Sequence, residues 1–190
     1  MTKTNRGLIL LSCSLLAASN QLQAADSDHE QHQAHVHGEA QLLIALDGST
    51  LELEFQSPAM NIVGFEHQPK SEKQVKAVEA AMETLKQADL IFTLSSAAQC
   101  NPVSIEVKSP LSKNDRHGHT DDHDHEHEAE SHSDFTAHYS FRCEQPSRLD
   151  KIEFNLFKPF PGTELLEVQS ISNKGQQKID LTPGNSTLEF

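Results

Sequence analysis

Basic residues are scarce in this 190-residue chain: 15 Lys and Arg stand against 28 Asp and Glu, a net charge of -13 with histidines neutral. Phosphate recognition needs clustered Lys and Arg, so nucleic acid is excluded as a partner and cations are favoured. A membrane-spanning run is missing too, because the apolar stretch from Gly7 to Ala18 is too short to cross a bilayer. The usual catalytic signatures are absent: there is no HExxH pair, no nucleophile elbow and no phosphate loop. Cysteine is sparse, with three in the chain.

The apolar stretch has another use. Residues 1–25 read as a secretory signal peptide, with Lys3 and Arg6 as the basic start and Gln21-Leu22-Gln23-Ala24-Ala25 as a small-residue exit. A lipoprotein reading of Leu11-Ser12-Cys13 would leave a very short apolar run, so a soluble exported protein is expected, with no membrane span in its mature form. The mature chain, 26–190, has the length of a single domain. Removing Cys13 leaves Cys100 and Cys143, and a lone pair in an oxidising compartment usually bonds. The alternative, two zinc thiolates, lacks a short metal-binding spacing. Closing so large a loop stabilises a fold by about 4 kcal/mol in the chain-entropy picture.

What the chain has in excess is histidine. His117, His119, His123, His125, His127 and His132 stand among carboxylates in a run without one large apolar side chain. Such a run cannot bury enough surface to offset the entropy of ordering, so 112–134 is expected to be a flexible, acidic, His-rich loop. Neutral imidazole is the commonest metal donor and prefers borderline ions such as zinc, copper and nickel. The neighbouring carboxylates raise the local cation concentration and can fill remaining positions.

Around that loop the pattern is α+β with a mainly antiparallel sheet. His35 to Leu46 alternates apolar Val36, Ala40, Leu42, Ile44 and Leu46 with His35, His37, Glu39 and Gln41, as a half-buried strand does. Asp47-Gly48 turns it into a returning strand with Leu51, Leu53 and Phe55. Ala59 to Gln68 reads as an irregular crossing. Ser71 and Gln74 form a capping box for a helix with Val75, Val78, Met82 and Leu85 on one stripe, ending near Ala88. Leu90 to Leu94 fits either a helical extension or a strand. Val103, Ile105 and Val107 enter the His-rich insertion, and Phe135, Tyr139 and Phe141 leave it. Pairing Val103 with Phe141 and Ile105 with Tyr139 puts Cys100 one residue off Cys143, so Asn101-Pro102 is expected to disturb the ladder. Strands follow over Lys151 to Phe157, Leu165 to Ile171, Gln176 to Leu181 and near Phe190.

A second, more rigid donor set is expected beside the loop. His35 and His37 share one side of the first strand, His67 could close over them with Glu66 beside it, and His138 faces away from the core. Glu66-His67 also permits a zinc hydrolase, with Glu66 as base toward a zinc-bound water, although no other motif supports it.

The stretches His35-Val36-His37-Gly38-Glu39-Ala40, Leu46-Asp47-Gly48 and Ser57-Pro58-Ala59-Met60-Asn61-Ile62-Val63-Gly64-Phe65-Glu66-His67, with a late acidic His-rich insertion, resemble the ZrgA family of zinc-regulated periplasmic proteins of Gram-negative bacteria. The resemblance covers most of the mature chain. It implies a periplasmic Zn2+-binding protein that aids zinc acquisition beside an ABC-type zinc importer and its solute-binding protein. Rival readings are a buffer against excess zinc, copper or nickel, the hydrolase, and a sheet-based interaction module with an incidental His tract.

Overall fold

A computed structural model describes residues 36–112 and 133–190. The expected signal peptide, His35 and the six insertion histidines lie outside the described residues.

Strand β1 (Glu39–Asp47) and strand β2 (Thr50–Pro58) form the expected antiparallel hairpin, with Leu42 opposite Phe55 and Ile44 opposite Leu53. Their alternation sends Ala40, Leu42, Ile44, Leu51, Leu53 and Phe55 into the core. One boundary is corrected: the strand begins at Glu39, not at His35. The apolar-polar alternation runs through Val36 and His37, but Gly38 takes φ 91°, outside extended geometry, and Val36 is 50% exposed rather than buried. His37 therefore sits in a turn, which the Glu39 N–H closes by donating to the Val36 carbonyl at 3.0 Å.

Past Pro58 the expected irregular crossing is instead a short helix, α1 (Ala59–Val63), stopped by Gly64 at φ 81°. Helix α2 (Glu72–Lys86) starts at the expected cap, where the Ser71 side chain accepts from the Gln74 N–H. The Gln74 side chain returns a bond to the Lys70 N–H, one residue earlier than the standard box places it. Val78, Ala81 and Leu85 form its buried stripe. The ambiguous stretch that follows is both things in turn: helix α3 (Ala88–Ile91), then strand β3 (Phe92–Leu94).

Strands β4 (Cys100–Lys108) and β5 (Asp134–Cys143) flank the insertion. Ile105 faces Tyr139 as expected, but Pro102, not Val103, faces Phe141. Val103 is squeezed out as a bulge and is 64% exposed, and the one-residue correction places Cys100 opposite Cys143. The two are joined as a disulfide, so they are not thiolate ligands.

Strands β6 (Lys151–Phe154), β7 (Leu165–Ser172), β8 (Gly175–Leu181) and β9 (Thr187–Glu189) complete two sheets, ordered β4-β5-β2-β1-β7-β8 and β3-β6-β9. Strand β6 ends three residues before the expected Phe157, which lies buried in the turn that follows. All pairings are antiparallel except β1 with β7. Helix α2, α3 and the smaller sheet cover one face of the larger one. Phe92 packs edge-on against Tyr139, Phe141 and Phe154, and the Tyr139 hydroxyl donates to the Leu85 carbonyl at 2.8 Å. Burial pushes the Tyr139 phenol pKa up, so it remains a neutral donor. The opposite face, with Leu43, Glu52, Glu54, His138, Gln169 and Lys178, is left to solvent. Among the described residues no helix is long and apolar enough to cross a membrane.

Candidate metal centre

The turn before β1 presents His37, whose Nε2 lies 3.2 Å from Glu66 Oε1. Both groups are partly accessible, with side-chain exposures of 57% and 35%, so an ion can reach them without opening the core. Their meeting is set by Asn61 on α1. Its side-chain oxygen accepts the Gly38 N–H at 2.7 Å, and its amide donates to the Glu39 carbonyl at 2.8 Å and to Ser57 Oγ at 3.2 Å. The Gly38 carbonyl accepts from the Glu164 and Leu165 N–H groups at 2.7 and 2.9 Å. The turn is thereby fixed from both sides, and α1 with Gly64 brings Glu66 back to meet it.

The insertion is rooted at the same place. The Ser133 hydroxyl donates to the Glu66 carbonyl at 2.6 Å, the Ser133 carbonyl accepts the Ala59 N–H at 2.8 Å, and Gln68 donates to the Pro110 carbonyl at 3.0 Å. Ser109, Leu111, Ser112 and Ser133 are buried at these two roots. Both ends of residues 113–132 therefore attach to the loop that carries Glu66.

His67 stands apart from the pair. It is exposed, stacks on Phe65 with ring centroids 5.2 Å apart, and has Nδ1 2.9 Å from the Gln68 carbonyl. A carbonyl only accepts, so Nδ1 is the donor in this contact; in the neutral ring that leaves the Nε2 lone pair, the tautomer that a metal-ligating imidazole adopts. His138 is on β5 and faces away from the core, as strand parity requires. Its Nε2 is 3.1 Å from Glu52 Oε2, and Glu54 on β2 is its cross-strand partner. Four strand positions, about 13 Å, separate it from the β2–β5 end where Glu66 is held. The structure thus pairs His37 with Glu66, leaves His67 apart on its own contacts with Phe65 and Gln68, and places His138 elsewhere. Among the described residues no three His, Cys, Asp or Glu side chains converge on a common point.

Sequence reasoning missed Asn61 and Ser133, which are neither donors to metals nor charged. Asn61 could have been suspected from its place in the stretch Ser57 to His67; nothing in the sequence marked Ser133. The profile of a family described as ZrgA family zinc uptake protein matches residues 34–190. No curated protein matches the chain.

Proposed function

The chain belongs to the ZrgA family of zinc uptake proteins, and on that premise we propose that it is a periplasmic, non-catalytic zinc carrier that delivers its ion to the solute-binding protein of an ABC-type importer. One observation carries the reading: His37 and Glu66, from the two stretches most characteristic of the chain, meet at the root of the His-rich insertion. Zinc bonds to imidazole nitrogen and carboxylate oxygen at about 2.0–2.2 Å, so two such donors on a tetrahedral ion lie about 3.3 Å apart. The 3.2 Å between His37 Nε2 and Glu66 Oε1 fits that edge.

In this reading the insertion gathers ions and the fixed pair retains one. His117, His119, His123, His125, His127 and His132 supply many interchangeable donors in an acidic run that concentrates cations. Binding there must order the chain, which lowers net affinity and favours exchange. At its root His37 and Glu66 form an anchor that His35, two residues upstream, or His67 Nε2 completes. The disulfide fits an oxidising compartment, and residues 1–25 supply the export signal that leads there.

Zinc calorimetry on three variants tests this. His37→Ala and Glu66→Gln should each abolish the tightest binding phase, whereas deleting residues 116–131 should remove the weaker sites and leave that phase. An unchanged tight phase in both point variants would overturn the fixed site; loss of all binding on deletion would assign the function to the insertion alone.

A further inference from the structure

The open face of the larger sheet carries a groove of about 660 Å³ with exposed Leu43 and Ile171 in it and Glu52, Glu54 and His138 along one wall. We infer that His138 and Glu52 form a second divalent-cation site, distinct from His37 and Glu66, selective for borderline ions.

The donors are held in place by the sheet itself. Glu52 on β2 and His138 on β5 project from the same face of adjacent strands, with His138 Nε2 and Glu52 Oε2 3.1 Å apart. The Ser140 hydroxyl, directly opposite Glu52 in the ladder, donates to Glu52 Oε1 at 2.7 Å. That bond occupies one carboxylate oxygen and aims the other at the imidazole, the role that outer hydrogen bonds play around metal ligands. Oε2 is buried and has no hydrogen-bond partner, the His138 ring being close without directing an N–H onto it. A surface ion pair that shared a proton would satisfy that atom; a cation bonded to both donors satisfies it as well, and at 3.1 Å they span one edge of its coordination shell.

The surroundings supply the charge. Glu54 on β2 and Glu106 on β4 are the two cross-strand neighbours of His138, so the sheet adds negative charge near the pair. Glu106 lies 3.7 Å from Lys108 on its own strand, and among the described residues no third donor converges on the pair, so water from the groove would complete the shell around His138 and Glu52. An imidazole in the set favours zinc, nickel or copper(II) over calcium and magnesium, which take oxygen ligands.

Zinc titration of the full exported chain, labelled with nitrogen-15 and followed by amide chemical shifts, tests the site, with magnesium as the control. Saturable shifts are expected at Glu52, Glu54 and Ser140 with zinc and not with magnesium. His138→Asn should remove them while shifts at Gly38 and Glu66 persist, and Ser140→Ala should weaken this site about tenfold. Amides at Glu52, Glu54 and Ser140 that stay still while Gly38 and Glu66 move would overturn the inference, as would equal shifts with magnesium. Movement at Glu52, Glu54 and Ser140 with none at Gly38 and Glu66 would sustain it and remove the His37–Glu66 site instead.

Discussion

Asn61 and Gly38, 23 residues apart in the chain, are joined by a hydrogen bond of 2.7 Å from the Gly38 N–H to the Asn61 side-chain oxygen. Through it the buried start of α1 fixes the turn that presents His37. Asn61→Ala would strand the Gly38 N–H and the Glu39 carbonyl, a cost of about 1–3 kcal/mol in denaturant unfolding. It should also weaken zinc binding at His37 and Glu66 by about tenfold or more. Zinc affinity equal to that of the parent chain would show that the turn keeps its shape without Asn61.

Gly162 sits against the same helix. A Cβ built there lies 2.6 Å from the Asn61 carbonyl oxygen, a backbone atom that cannot rotate away. Gly162→Ala should therefore destabilise the fold by about 1–3 kcal/mol through overpacking and move α1. A melting temperature unchanged by the substitution would refute that close approach.

The disulfide closes a sequence separation of 43 residues that includes the whole insertion. Replacing Cys100 and Cys143 together by serine should cost about 4 kcal/mol if constraint of the unfolded chain dominates. Shortening the insertion in the same background separates that effect from native-state contacts: the cost should fall only slightly, since loop entropy varies with the logarithm of length.

Protons compete with zinc for imidazole nitrogens, whose ordinary titration is centred near pH 6.5. Zinc affinity measured by competition with a chelator should therefore fall steadily from about pH 7.5 to 5.5. An affinity flat across that interval would rule out imidazole ligation.

Away from the site, the Ser95 hydroxyl donates to the Asp150 carboxylate, and backbone N–H groups and the Lys151 charge assist it, holding that carboxyl below its ordinary 3.8. A carboxyl depressed in the folded state adds stability above its unfolded value and loses it as pH falls through the folded one. Asp150→Asn should thus lower the melting temperature at pH 7, and the gap between variant and parent should narrow below about pH 4. A gap independent of pH would assign the difference to packing.

Much of this scaffold was legible because its signals are local. The β1–β2 hairpin follows from period-two alternation around Asp47-Gly48, and the start of α2 follows from Ser71 and Gln74. The irregularity at Asn101-Pro102 was forced by parity, since an undisturbed ladder leaves Cys100 one residue off Cys143. What could not be read depends on distant partners. Val36 and His37 continue the strand alternation in sequence, and their turn exists because Asn61, Glu164 and Leu165 bind Gly38 from elsewhere in the chain. The parallel pairing of β1 with β7, more than 100 residues away, leaves no mark on either strand. Which of the expected donors meet depends on α1, which was expected to be irregular.

The bonds from Gln68 to Pro110 and from Ser133 to Glu66 and Ala59 anchor the segment between them independently of its contents. Doubling the length of such a segment costs about 0.6 kcal/mol. Fold stability is thereby uncoupled from what residues 113–132 contain: side chains can be exchanged there, as beads are on a string whose knots stay tied, while the His37–Glu66 pair keeps its geometry.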